Sequence, residues 1–211
     1  MFKLFAHRGF VENNMKQNSI ASLKNAVAKG FKAIEFDIWW CDGEFLIKHD
    51  KPMDKEKFLL PRLQDYLCYK NELEYWLDFK NIDLANVDEI LKKLKEDLIL
   101  KEIDLNKIYF APYITNYTIA TKISLKFRDF FSSKINFAGV CDNQSGIQEI
   151  VDLVDLELIN FVSIDHLLID SELLKKIKPS KLLAWTVNDI KKINDFYMLG
   201  VDKFATDNVI I

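Results

Sequence analysis

The run Ala33-Ile-Glu35-Phe-Asp37-Ile-Trp39-Trp40-Cys-Asp42-Gly43 sets two carboxylates two residues apart among apolar and aromatic neighbours, and Glu44-Phe-Leu-Ile-Lys-His49-Asp50 follows it. The pattern reads as a buried strand, a tight turn at Asp42-Gly43 and a second apolar strand that delivers a histidine. Side chains two apart on a strand share a face, so Glu35 and Asp37 point one way while Ile34, Phe36 and Ile38 point the other. Two adjacent carboxylates repel each other and are costly away from water unless a cation compensates them. Oxygen ligands of this kind suit a hard divalent ion, Mg²⁺ or Ca²⁺. Two acids on a solvated strand face are the alternative reading, and the apolar residues between them weigh against it.

Other residues with the right chemistry lie far off in the chain. His7-Arg8-Gly9 ends a short apolar strand, and Gly9 permits the bend that lets His7 and Arg8 reach one site. Asp78 and Lys80 share a face of the strand Tyr75-Trp-Leu-Asp78-Phe-Lys80, and Asn188 follows a later strand. Arg8 and Lys80 match a phosphoryl group. A metal acts as a Lewis acid on a phosphoryl oxygen, and His7 and His49 suit a general base and a general acid. His166, the third of three histidines, also follows a strand but lacks comparable neighbours and stays unassigned.

Distant residues converge only if the elements place them together. Apolar strands are expected at 2–6, 33–38, 75–79, 107–113, 135–140, 160–164, 182–187 and 203–205, with helical segments between them. Those helices are expected near 20–29, 63–69, 85–100, 116–131, 146–156, 171–177 and up to 199, with Asn18-Ser19 capping the first. Short apolar strands without clean polar alternation are the mark of parallel strands buried on both faces. Eight such units predict an α/β fold, a closed (β/α)8 TIM barrel over residues 1–211, with 44–48 as an added strand. A doubly wound open sheet competes, but no Gly-rich phosphate loop follows the first strand. In the barrel, His7, Arg8, Glu35, Asp37, Asp78, Lys80 and Asn188 fall at the C-terminal mouth, where such folds carry their active sites.

Composition agrees with one well-packed domain. Hydrophobic residues make up 49% of 211, enough for a full core and unlike a disordered chain. A net charge of -3 without a long Lys/Arg block argues against a nucleic-acid or anionic-membrane surface. Cys41, Cys68 and Cys141 have no metal-binding spacing and fit a reducing compartment better than a disulfide framework. No apolar run reaches the ~18 residues of a membrane span, and the stretch before His7 is too short for a signal peptide. A cytoplasmic, soluble protein is the expectation.

Together these residues resemble a known family. Ala6-His-Arg-Gly9, Asn18-Ser19, Ile34-Glu-Phe-Asp37, Asp42-Gly43 and Lys48-His-Asp50 are similar to the N-terminal signature of the glycerophosphodiester phosphodiesterases. Leu77-Asp-Phe-Lys80 resembles that family's metal-ligand strand, and Trp185-Thr-Val-Asn188, Gly200-Val-Asp202 and Thr206-Asp207 its C-terminal signature. The resemblance implies metal-dependent cleavage of glycerophosphodiesters to sn-glycerol 3-phosphate and an alcohol. It maps His7 and His49 to the acid/base pair, Glu35, Asp37 and Asp78 to metal ligands, and Arg8 and Lys80 to phosphate contacts. It also supports Trp185 as a wall of the site. Trp39 and Trp76 read as packing residues, and Asp207 as a loop-capping acid.

The chain departs from the family's pattern in places. Lys16-Gln17-Asn18-Ser19 stands where the family has Pro-Glu-Asn-Thr, so an acid has become an amide. Asp78 replaces the usual, longer Glu. The segment from His49 to Asp78 is too short for the insertion many members carry, which implies a shallow, open mouth and looser head-group selection. Two other readings follow from these features: a sphingomyelinase D-like lipid phosphodiesterase, and a catalytically weak barrel that binds a phosphate-bearing ligand.

Overall fold

The computed structural model describes residues 2–114, 116–131 and 136–210. Among them, nine strands form one sheet: β1 (Lys3–His7), β2 (Ala33–Cys41), β3 (Glu44–Ile47), β4 (Glu74–Phe79), β5 (Ile108–Pro112), β6 (Asn136–Cys141), β7 (Phe161–Asp165), β8 (Leu182–Trp185) and β9 (Lys203–Thr206). Eight run parallel in the cyclic order β1, β2, β4, β5, β6, β7, β8, β9, and β1 pairs with both β2 and β9 to close the ring. This is the closed barrel that the sequence periodicity implies. β3 lies outside the ring, antiparallel to β2, and forms the expected extra hairpin through the Asp42-Gly43 turn.

Helices fill the crossovers: α1 (Ile20–Ala28), α2 (Leu63–Tyr66), α3 (Val87–Leu100), α4 (Tyr117–Phe131), α5 (Ile147–Asp155), α6 (Leu173–Lys176) and α7 (Ile190–Met198). Two are shorter than their sequence suggests. α2 gives way after Tyr66 to 3-10 turns, where Lys70 has a φ of 47°. Asp170 Oδ1 accepts from the Leu173 N–H at the start of α6, which stops before Lys178, whose position ahead of Pro179 disfavours helix. Ile135, expected to open the fifth barrel strand, lies outside the described residues.

Alternation along the strands divides the core. Phe5, Ala33, Trp76, Tyr109, Ala138, Leu183 and Ala205 fill the barrel interior, with Phe5 edge-on to Trp76 and Tyr109 at centroid distances of 5.5 Å. Leu4, Ile34, Phe36, Ile38, Leu77 and Phe110 face outward and pack in the larger core that includes the helices. The inward register therefore carries on from Phe5 to His7, from Ala33 to Glu35 and Asp37, and from Trp76 to Asp78. Cross-strand pairing sets His7 beside Glu35 and Asp37 beside Asp78.

Candidate active site

At the C-terminal mouth a cavity of about 460 Å³ is lined on one side by His7, Arg8, Glu35, His49, Asp78 and Lys80. Each is delivered by a strand end or the turn after it. β1 stops at His7 because the chain turns sharply: Arg8 adopts a φ of 55° and Gly9 one of 83°. A β-carbon on Gly9 would lie 2.4 Å from Ser22 Oγ, so the turn can press against α1 only with glycine there. The Arg8 backbone N–H donates to Glu35 through both its carbonyl, at 2.9 Å, and its Oε2, at 3.0 Å.

His7 is held from both sides. Its Nδ1 lies 2.7 Å from Asp207 Oδ1, and its Nε2 faces Glu35 Oε2 at 3.8 Å. Burial works to lower the imidazole pKa, yet the Glu35 charge and the Asp207 hydrogen bond outweigh it and hold His7 above its ordinary value. The bond to His7 pulls the Asp207 carboxyl below the usual carboxylate range. Asn188 fixes that carboxylate: its Nδ2 donates to Asp207 Oδ2 at 2.8 Å, and its Oδ1 accepts from the Asp207 N–H at 2.8 Å and from Thr206 Oγ1 at 3.1 Å. Asp207, which reads as a loop cap in the sequence, thus reaches across the β1–β9 junction to the histidine. One signal pointed there, because Lys203, Ala205 and Asp207 alternate onto the inward face.

Asp37 sits beneath the cavity, fully buried and not on its wall. Its Oδ2 accepts from Asn18 Nδ2 at 2.7 Å and lies 2.9 Å from Arg8 Nε, while its Oδ1 lies 2.8 Å from Lys80 Nζ. Burial alone would raise its pKa, but Lys80 and Arg8 reverse the sign and keep it ionised. Asn18, expected to cap α1, instead spends its side chain on Asp37, and Ser19 makes the cap in a box with Ser22. Gln17 accepts a long bond from Arg8 Nη1 at 3.4 Å. Lys80 bridges Asp37 and Asp78, with Nζ 2.6 Å from Asp78 Oδ2.

The donor set fits a hard divalent cation. One carboxylate oxygen each from Glu35, Asp37 and Asp78 lie within 4.8 Å of one another. Asp78 Oδ1 is buried without a hydrogen-bond partner among the described residues. Burial, partly opposed by His7 and reinforced by the Asp37 and Asp78 charges, pushes the Glu35 pKa up to about 8. A cluster with an orphan oxygen and a proton retained for want of positive charge is one that a bound cation would relieve.

His49 follows β3 on a backbone tied to β2, where Lys48 N–H donates to the Asp37 carbonyl at 3.2 Å. The imidazole is half-exposed, with Nδ1 3.0 Å from Asp50 Oδ1. It shares the cavity with His7. His166 does not line it; its Nδ1 lies 3.2 Å from the Trp185 carbonyl. Aromatic residues complete the lining: Trp39, Trp76, Tyr113 and Trp185, together with Asp142. Trp76 is almost wholly buried in the barrel interior, as its reading as a packing residue implies, and caps that interior as the cavity floor. Trp39 is not the packing residue expected; it continues the inward register two positions beyond Asp37. Trp185 stands on the wall, but its indole N–H donates to Ser163 Oγ at 2.9 Å, so it offers ring surface rather than a donor to phosphate.

Comparison with known proteins places this architecture. No family model and no curated protein matches the chain. Solved structures do. A phosphodiesterase of Oleispira antarctica, in complex with the product sn-glycerol 3-phosphate, aligns at a TM-score of 0.73 and 19% identity over 97% of this chain and 92% of that one. A glycerophosphodiester phosphodiesterase of Parabacteroides distasonis aligns at 0.70 and 20% identity with the same coverages, 97% and 92%. This chain has the fold of those phosphodiesterases. A calcium-dependent phosphoinositol-specific phospholipase C of a Pseudomonas species shares the barrel more distantly, at 0.60 and 10% identity over 97% and 88%. The first two match almost end to end, so the barrel accommodates no large insertion relative to them. Among the described residues no helix is long and apolar enough to cross a membrane.

Proposed function

We propose that the chain is a divalent-metal-dependent glycerophosphodiester phosphodiesterase, releasing sn-glycerol 3-phosphate and an alcohol. The observation that carries this reading is one cavity lined by two histidines, two carboxylates and two cations, with the third acid, Asp37, directly beneath it. The fold shared with a phosphodiesterase that holds sn-glycerol 3-phosphate supports it, as does the motif resemblance.

Glu35, Asp37 and Asp78 would hold the ion, and it would supply Lewis-acid polarisation of a phosphoryl oxygen. Arg8 and Lys80 balance the charge of the phosphoryl group from the same side. Asp207 accepts the Nδ1 proton of His7 and so leaves Nε2 as the basic nitrogen facing the cavity. His7 takes the proton of the glycerol hydroxyl neighbouring the phosphoester as that oxygen attacks phosphorus. The bond from phosphorus to the alcohol oxygen breaks, and His49 protonates the departing alcohol. Water then opens the cyclic phosphate with the two imidazoles in exchanged roles. Solvent access at His49 suits a group that must exchange protons with leaving alcohol and water. The free cysteines Cys41, Cys68 and Cys141 fit a reducing, cytoplasmic setting.

The test is turnover of a panel of glycerophosphodiesters with EDTA and with Mg²⁺ or Ca²⁺ added back, on the wild type and on Glu35→Ala. Metal-restored release of glycerol 3-phosphate that Glu35→Ala abolishes is the expected result. Binding of phosphate-bearing ligands without turnover in any metal would overturn the reading and leave a binding barrel.

A further inference from the structure

Beside its charged groups, the cavity carries an aromatic lining with a chemistry of its own. Trp39, Trp76, Tyr113 and Trp185 give it four aromatic side chains, and Asp142 adds a carboxylate. Three of its donors are already spent. Trp39 Nε1 donates to the His49 carbonyl at 3.2 Å, Trp185 Nε1 to Ser163 Oγ at 2.9 Å and Tyr113 Oη to Asp142 Oδ2 at 2.8 Å. Asp142 otherwise accepts from Asn143 Nδ2 at 2.7 Å and has no ion-pair partner among the described residues.

An alcohol rich in hydroxyl groups would lose its hydrogen bonds to water here and find few replacements. A trimethylammonium group has no N–H or O–H to satisfy. It gains from aromatic faces and from a nearby uncompensated carboxylate. On the phosphodiesterase reading above, the phosphate lies against Arg8 and Lys80, which leaves this wall for the departing alcohol.

We propose that Trp39, Trp76, Tyr113, Trp185 and Asp142 form a subsite for a cationic leaving alcohol, with a quaternary ammonium group as its best occupant. Selection by an aromatic wall replaces the looser choice of alcohol that a short segment after His49 implied. A primary ammonium ranks next, since Asp142 can accept one of its N–H groups, and a neutral polyol ranks last.

The experiment measures kcat/KM for glycerophosphocholine, glycerophosphoethanolamine and glycerophosphoglycerol on the metal-loaded wild type, Tyr113→Leu and Asp142→Asn. Tryptophan fluorescence is titrated in parallel with choline and with glycerol. The choline diester is expected to exceed the glycerol diester on the order of tenfold. Each substitution is expected to narrow that ratio several-fold while the circular-dichroism spectrum stays that of the folded wild type. Equal rates on all three diesters, or a ratio that neither variant moves, would overturn the subsite and leave the phosphodiesterase reading standing. Choline quenching that Tyr113→Leu weakens, in a protein that hydrolyses no diester, would support the subsite and overturn the phosphodiesterase reading instead.

Discussion

Asp207→Asn is the most informative single change, because the structure dictates how the new amide must sit. Asn188 Oδ1 is committed to the backbone N–H of residue 207 and to Thr206, so its Nδ2 must point at the side chain of residue 207. An asparagine there has to turn its oxygen toward Asn188 and its NH₂ toward His7. His7 Nδ1, which lies 2.7 Å from Asp207 Oδ1 and donates to it, would become an acceptor. The ring proton then moves to Nε2, and the nitrogen that faces the cavity loses its lone pair. Loss of a hydrogen bond to a charged group costs about 1.5–3 kcal/mol, or roughly tenfold to 150-fold in rate. A reversed tautomer raises the loss toward about 10⁴-fold. Steady-state hydrolysis of glycerophosphocholine is therefore expected to show kcat down about 10²–10⁴-fold with KM changed by less than about threefold. The double variant Asn188→Asp/Asp207→Asn supplies an acceptor for the new NH₂, turns the amide oxygen back to His7 and should recover at least about tenfold. A single variant within about threefold of wild type, or a double variant no better than the single, would refute the orienting role.

Three further outcomes are expected. In EDTA, the melting temperature should fall as pH rises from 5 to 8. Glu35 and Asp78 have raised carboxyl pKa values and His7 a raised imidazole pKa, so the folded state keeps protons that the unfolded chain releases across this range. Groups of that sign stabilise at the acid end and lose the contribution as pH climbs through the folded-state value; Glu35→Gln should flatten the slope, and Mg²⁺ or Ca²⁺ should raise the melting point at pH 8. His49→Ala should cut kcat by about 10²–10⁴-fold, with its far-ultraviolet spectrum unchanged, as measured by glycerol 3-phosphate release. Gly9→Ala should destabilise by about 2–4 kcal/mol in urea titration, because it combines a left-handed φ with a clash against Ser22. Gly30→Ala, at a φ of 90° with open space, should cost about 1–2 kcal/mol.

Much of the barrel was legible because its strands are short apolar runs between helical stretches, and this periodicity survives without any knowledge of neighbours. The acidic cluster was legible for a related reason: Glu35 and Asp37 are two apart on one strand. Trp39 obeys the same spacing, yet an indole is at home in a core, and its type outweighed its register. Asn18 and Asp207 were harder. Each has polar neighbours that make a cap the natural local role, and each finds its partner only through tertiary pairing. Nothing near residue 207 announces that the last strand lies beside the first, with Thr206 opposite Ala6. Helix ends went astray where a local conformation intervened, as at Lys70 and ahead of Pro179.

His7 and its supporting carboxylate stand 200 positions apart in the chain. A ribosome adding about 5–20 residues per second makes the imidazole roughly 10–40 s before the acid that sets its tautomer. On the proposed function, a nascent polypeptide that has already stacked its early helices lacks a competent base until the final strand docks. On that reading, activity reports the docking of β9 against β1.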